Sequence, residues 1–494
     1  MAKIKQARLF SWSEVDARSD LDRFYIVRDN LPDEQIIKEL KRLRRKGRDD
    51  FPVTAMWNLL IAGIVFQHKS VESLLRELSR NVGLFEACGF NSLPSYKKAV
   101  AELRRNKETG RMEILWTEDN EGYYAVPNSW NFSRFLANVI KLEEKKALIT
   151  AMIKKLRESL MEELPDFGEH LGYDGKAIES YSTGRKNKKT GLTSDNDADW
   201  GKHETKVTDK KTGKLWAKVK SWFGYSFHVM ADTKYEIPVA VKVSKASASE
   251  QKELSSMIEE TFQETPQLSQ RCKDFAADRG LDSGEIKGSL WDDYRIRPAI
   301  DTRNLWREEK QEPGYDPDKP ITRPLYPERA DSIVYTEKGT LHCICPVTGE
   351  QRDMAFHGFE TDRNTLKYRC TAAVNGLDCK GREQCRKHGG VNPGRYGRIV
   401  RINITNHNRR IFTPIPYGSS GWHKAYNRRS ALERINNRID NSFCFEKHYI
   451  RGKAKMQARA GLAIAVMMAM ALGHAKAGRK KQMRSLVKPI PAVA

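Results

Sequence analysis

The sequence predicts an α/β protein: a sheet region with helices before and after it, interrupted by a separate insertion. Three observations predict this. Apolar residues recur at helical spacing through most of 1–140, short apolar runs alternate with helical stretches over 165–300, and helical spacing returns over 419–475 after a long stretch without it.

Within 1–140, Phe51-Pro52 after Asp50 marks a helix start, and 53–66 is apolar almost all round, as in a buried helix. Val71, Leu74, Leu75 and Leu78 share one face of the next helix. The basic run Lys41, Arg42, Arg44, Arg45, Lys46 and Arg48 reads either as a solvated face or as a phosphate-contacting surface. From 165, Leu171-Gly172-Tyr173 is a short strand stopped by Asp174-Gly175. Runs 222–231 and 237–243 form two more strands, joined hairpin-fashion across 232–236. A helix capped by Ser247 or Ser249 follows, with Leu254, Met257, Ile258 and Phe262 as its apolar stripe up to Pro266. A fourth strand, 275–277, ends at Asp278-Arg279-Gly280; one or two helical turns over 285–291 and a fifth strand over 294–300 complete the region.

Residues 301–418 hold five of the eight cysteines and many of the prolines, and read as an inserted β-rich or irregular module. Helices return over 422–441 and 453–475, before a basic tail over 476–494. The expected organisation is thus a helical domain over 1–140, a first core segment over 165–300, the insertion over 301–418, closing helices over 419–475, and the tail.

Composition narrows the function. At 494 residues the chain is too long for a disulfide-stapled miniprotein, and at 39% hydrophobic content it is too apolar for general disorder. Lys and Arg number 87 against 64 Asp and Glu, a net charge of +23. Nucleic acid is the first partner to expect for such an excess, because neutralising phosphates releases counterions. The N-terminus shows no apolar export segment, and the run 461–473 is shorter than the ~18 residues of a membrane span. A cytoplasmic protein with no membrane partner is therefore expected, its cysteines being thiols or metal ligands.

Asp174 and Asp278 stand apart from the other carboxylates: each ends a short apolar strand and is followed within two residues by glycine, which leaves room for a bulky ligand. Both sequences also suit ordinary turns. On the helix over 422–441, Tyr426, Arg429 and Glu433 lie at i, i+3 and i+7, one face, with Arg429 and Glu433 an i,i+4 pair.

These elements, Tyr173-Asp174-Gly175, Gly224-Tyr-Ser-Phe-His228 with Asp232 and Pro238, Asp278-Arg279-Gly280 and Tyr426-(2)-Arg429-(3)-Glu433, together resemble the DDE transposases of bacterial insertion sequences, in the branch with the Tyr-(2)-Arg-(3)-Glu signature. The likeness runs from about residue 45 to about 475. It implies an RNase H-like core: a mixed five-stranded sheet flanked by helices, with the Cys-containing insertion before the helix of the catalytic Glu. It also implies that Asp174, Asp278 and Glu433 are catalytic and bind two Mg²⁺ ions, or Mn²⁺ as substitute. Hard oxygen ligands suit such ions, and a pair of them stabilises the attacking and leaving oxygens of an in-line displacement. The implied activity is a magnesium-dependent endonuclease and strand-transfer reaction on double-stranded DNA, element ends and target alike, by a homodimer at the bacterial nucleoid. Tyr426 and Arg429 would contact phosphate near the scissile position, with Arg279 and Arg428 on the same DNA surface. The family's basic residue seven positions after the Glu is replaced by Asp440, with Arg438 the nearest substitute. Two other readings are a catalytically inactive DNA-binding regulator of the same ancestry and an RNase H-like nuclease without strand transfer.

Weaker signals remain. Cys343, Cys345, Cys370, Cys379, Cys385 and His388 could supply one structural Zn²⁺ or be unliganded. Lys186 and Lys188 lie in a stretch between the first two strands that reads as a loop over DNA or as a disordered basic loop. Seven Arg and Lys over 386–410, Arg395 and Arg398 among them, have no acidic residue between them and would suit a DNA strand. Trp306 reads as a core residue before it reads as a base-stacking one.

Overall fold

The computed structural model describes residues 21–44, 51–90, 98–105, 109, 112–119, 126–208, 215–313, 315–316, 320–329, 333–388 and 397–485. The N-terminal helices are α1 (Leu21–Asn30), α2 (Glu34–Arg44), α3 (Val53–Val65), α4 (Val71–Arg80), α5 (Val82–Cys88), α6 (Ser129–Lys146) and α7 (Leu148–Glu163). Ser70 caps α4 by accepting from the Ser73 N–H, and Asn81 caps α5 in the same way. An antiparallel hairpin, β1 (Lys98–Arg105) and β2 (Met112–Asp119), interrupts the mainly helical stretch expected over 1–140. The segment MEILWT is rich in β-favouring side chains and lacks helical spacing.

The central sheet contains β3 (His170–Glu179), β4 (Asp199–Thr208), β5 (Leu215–Asp232), β6 (Ile237–Lys245), β7 (Asp274–Ala277) and β8 (Arg297–Ile300). It is mixed: β5 runs antiparallel to β3, β4 and β6, whereas β3, β7 and β8 are mutually parallel. Between β6 and β7 come α8 (Glu250–Glu264) and α9 (Pro266–Arg271); α10 (Gly284–Asp292) lies between β7 and β8. The sheet has six strands rather than the expected five, because β4 pairs with the first half of the 18-residue β5. The stretch expected to be a loop over DNA is therefore partly a hairpin. Gly224 marks the point where β5 passes from β4 to β3 and β6: a Cβ there would lie 2.2 Å from the Ile178 carbonyl oxygen. Gly224→Ala is expected to cost about 1–3 kcal/mol through strand displacement. Thermal unfolding checks this against Gly421→Ala, where the nearest atom is 3.7 Å away.

The insertion comprises β9 (Thr322–Pro324), β10 (Ile333–Thr336), β11 (Leu341–Ile344), β12 (Gln351–Asp353), β13 (Ala355–Glu360), β14 (Thr365–Arg369), α11 (Thr371–Asn375), α12 (Arg382–His388) and β15 (Ile399–Asn403). Its strands form antiparallel sheets in the orders β12-β11-β10-β9 and β13-β14-β15. They enclose a separate core that includes Trp306, Ile333, Leu366 and Ile402, so Trp306 is a core residue. Asp282 pins the insertion to the sheet region. Its carboxylate accepts from Arg410 at 2.7 Å and pairs with Lys287 at 2.7 Å, and the Asp282 and Lys287 side chains are almost wholly enclosed.

The chain ends in α13 (Ser420–Tyr426), a 3₁₀ turn over Asn427–Arg429, α14 (Ser430–Ser442) and α15 (Lys453–Lys476). The expected helix over 422–441 is thus broken at its centre. α15 is the one described helix long and apolar enough to cross a membrane, and 89% of its apolar window is buried within the fold. It packs on α1, α3, α7 and β6, so one hydrophobic core joins the N-terminal helices to the sheet. Asp195 and Asp197 accept from the Gly452 and Lys453 N–H groups, each at 3.1 Å, and so cap the start of α15.

Candidate active site

Parallel pairing of β3 with β7 sets Tyr173 opposite Ala277, which brings the next residues, Asp174 and Asp278, side by side at one end of the sheet. That is the carboxyl end of β7, where ligands of α/β sheets gather. Asp174 lies within β3 rather than ending it, because β3 continues to Glu179 against β5. α14 docks on this edge through Asn436, whose Nδ2 donates to Asp174 Oδ2 at 2.7 Å. One turn earlier on α14, Glu433 accepts from Arg429 Nη2 at 3.0 Å. The Arg429 guanidinium lies 5.9 Å from the Tyr426 ring centroid, and Tyr426 stacks on Trp422 at 4.6 Å. The structure therefore brings Tyr426, Arg429 and Glu433 together despite the break in the helix.

The carboxylates act on one another. Burial pushes the Asp174 pKa up to about 6; Arg429 opposes this, while the Asp278 and Glu433 charges add to it. Burial works against the Arg429 charge, yet Tyr426 and the carboxylates of Asp278, Glu433 and Asp174 hold its proton above the usual guanidinium value. Glu250, in the first turn of α8, is a fourth carboxylate that the sequence reading did not single out. A Cβ on Gly175 would lie 2.3 Å from its Oε1, and one on Gly280 3.9 Å from its Oε2. Burial, then Asp174 and Asp278, raise its pKa. An acidic first turn is so common in helices that the sequence carried no signal for it.

The donor set, carboxylate oxygens repelling one another around Asp174, suits a hard divalent cation. In this conformation, however, no group of three or more His, Cys, Asp or Glu among the described residues is arranged to hold a metal ion. Glu433 is instead turned to Arg429.

Other expected site residues fall elsewhere. Arg428 has internal partners: its guanidinium donates to Asp274 at 3.1 Å and meets His170, tying the 3₁₀ turn before α14 to the start of β3 and β7. Arg438 donates to the Glu236 carbonyl at 2.7 Å and to its carboxylate at 3.3 Å. Lys176, two residues beyond Asp174, pairs with Asp440. Arg279, Lys186 and Lys188 are exposed. In the basic run over 386–410, Arg401 pairs with Glu360, Arg409 with Asp292 and Arg410 with Asp282, so these charges serve internal ion pairs. Arg398 is half-buried, its carbonyl accepting from Cys370 N–H, and Arg395 lies outside the described residues.

The six expected zinc ligands do not converge among the described residues. Cys343 shares a hydrogen bond with Cys385, which together with burial raises its pKa, and Cys370 is nearby. Cys345 turns away into the tight 345–350 turn, and it and Cys379 both lie beside Arg352. The His388 side chain lies outside the described residues. No disulfide joins any of the eight cysteines. His228 is structural: it bridges Tyr173 Oη at 2.6 Å and Ser244 Oγ at 2.7 Å, and burial pushes its pKa down to about 4.

No family model matches the chain, and no curated protein does. Among solved structures it is similar to a piggyBac transposase in a synaptic complex with hairpin DNA, determined by cryo-electron microscopy. The identity is 11% and the TM-score 0.35, with 95% of this chain and 80% of that chain covered. A likeness of that size fixes neither fold nor function.

Proposed function

We propose that this chain is a DDE transposase of the branch with the Tyr-(2)-Arg-(3)-Glu signature, which binds the terminal inverted repeats of a bacterial insertion sequence and catalyses metal-dependent strand cleavage and strand transfer. The observation that carries the reading is the placing of Asp174 and Asp278 on adjacent parallel strands, with the helix of Glu433 docked on Asp174 through Asn436. The order β6-β5-β3-β7-β8 supports an RNase H-like core, with β4 as an added strand.

Asp174, Asp278 and Glu433 would hold Mg²⁺, or Mn²⁺ in its place, with Glu250 beside them. Two such ions supply charge stabilisation for the attacking and leaving oxygens. Asn436 fixes the orientation of the Asp174 carboxylate. Arg429, released from Glu433, offers a bidentate fork to a phosphate, and Tyr426, braced by Trp422, orients that fork. Arg279, Lys186 and Lys188 present exposed charge to the DNA backbone. Water attacks the phosphodiester at the element end and the 3′-oxygen leaves as a hydroxyl; that hydroxyl then attacks a target phosphodiester, joining the element's 3′-oxygen to the target phosphorus as the target's own 3′-oxygen leaves as a hydroxyl. A homodimer on paired ends, at the nucleoid, completes the proposal.

The test is purified protein with Mg²⁺ and DNA carrying inverted repeats from the flanks of the gene. Cleavage plus joining is expected. Cleavage without joining would favour the nuclease reading, and binding without cleavage the regulator.

A further inference from the structure

A cavity of about 740 Å³ lies away from the carboxylates, where α4 and α6 meet the link between α14 and α15. Four cations line it: Lys69, Arg451, Lys455 and Arg459. Among the described residues none of them forms an ion pair. The N-terminus of α4, capped by Ser70, opens onto the same space, and Glu72 is the one carboxylate in the lining. Arg459 has only a 3.5 Å bond to the Phe443 carbonyl, and burial weakens its hold on the proton. A guanidinium placed so, with no counter-charge, lacks what an anion would provide.

The rim is aromatic. Tyr181 and Tyr449 are 48% and 63% exposed and meet edge to face at 5.1 Å, while the Arg451 guanidinium lies 5.0 Å over the Tyr181 ring. Arg451 covers one face of Tyr181 and donates to its carbonyl, which leaves the more exposed Tyr449 ring beside Lys455 and Arg459; exposed aromatic rings next to cations without an ion-pair partner are what single-stranded nucleic acid and its nucleotides engage. The volume falls in the ~300–1,000 Å³ range of small-ligand sites and is far too small for a duplex. Tyr181 follows Asp174 by seven residues, roughly 20 Å of extended chain.

We infer that this cavity is a nucleotide site, taking the phosphate on Lys455, Arg459 and the α4 N-terminus and the base against Tyr181 and Tyr449. The nucleotide comes either from an unpaired stretch of a DNA strand or from the free pool; the strand source rests on the DNA reading above.

Fluorescence anisotropy of the full chain with a labelled ten-residue oligothymidylate, and competition by free thymidine monophosphate and ATP, test the inference. Tyr449→Ala and Lys455→Gln, both at exposed positions, are each expected to weaken binding about five- to a hundredfold. Competition by a free nucleotide at matching concentration assigns the pool as source; binding of the oligonucleotide alone assigns the strand. Absence of binding by every probe, or equal binding by wild type and both variants, overturns the inference. Because binding is read without cleavage, a chain that fails to cut DNA but loses nucleotide binding in these variants would refute the transposase reading and leave this site standing.

Discussion

Asp174→Asn is expected to abolish DNA cleavage and, at the same time, to raise the melting temperature of the metal-free protein at pH 7.5. Both effects have one cause. In the folded chain the Asp174 carboxyl titrates at about 6 rather than 3.8, so ionising it costs the fold free energy. That cost is absent below the unfolded value, grows as pH rises, and is complete above the folded value. It amounts to about 3 kcal/mol at most, two units at ~1.4 kcal/mol each. Asparagine keeps the shape and the contact with Asn436 but removes the charge, so the variant should gain stability at pH 7.5 and nothing at pH 4. Added Mg²⁺ should raise the melting temperature of wild type and leave the variant unmoved, while DNA affinity stays within about twofold. Loss of cleavage and DNA binding together would remove Asp174 from the chemistry.

Asp282→Ala is the second large effect. The carboxylate neutralises Lys287 and Arg410, and its removal leaves the enclosed Lys287 ammonium without a counter-charge, with the Arg410 carbonyl at 2.9 Å still accepting from it. Breaking a buried pair from one side costs about 3–5 kcal/mol, whereas the same change at an exposed pair costs under about 1. Denaturant unfolding should show that loss. The insertion is anchored four residues beyond Asp278, so cleavage should fall even where the protein remains folded. A change under about 1 kcal/mol would show that water reaches Lys287 freely.

Five of the six strands were legible because short apolar runs broken by polar turns are local signals, as the observed β7 and the β5–β6 hairpin illustrate, although β3 runs on through Asp174-Gly175. β4 was not legible: its residues are polar, and it exists only because β5 extends beyond Gly224 to pair with it. In the site, the expected strand end picked out Asp278 correctly, whereas Asp174 was singled out by a strand end that is not there, and helical spacing put Tyr426, Arg429 and Glu433 on one face. Glu250 and Asn436 were missed because their roles depend on which segments meet. Charge was the least legible property. Arg428, Arg401, Arg409 and Arg410 read as a DNA-facing excess, yet each finds a carboxylate more than 40 positions away in sequence. A basic run does not reveal which of its members are spent on the fold.

The placing of Glu433 bears most on the central claim, since in this conformation it is paired with Arg429 and stands outside any metal-holding group. Single-turnover cleavage of end DNA by Glu433→Gln, with Mg²⁺ saturating and DNA prebound, tests it directly. If Glu433 leaves Arg429 to serve the metal centre, the rate should fall about a thousandfold or more, the several kcal/mol that such a ligand supplies. A rate equal to wild type would contradict a three-carboxylate centre.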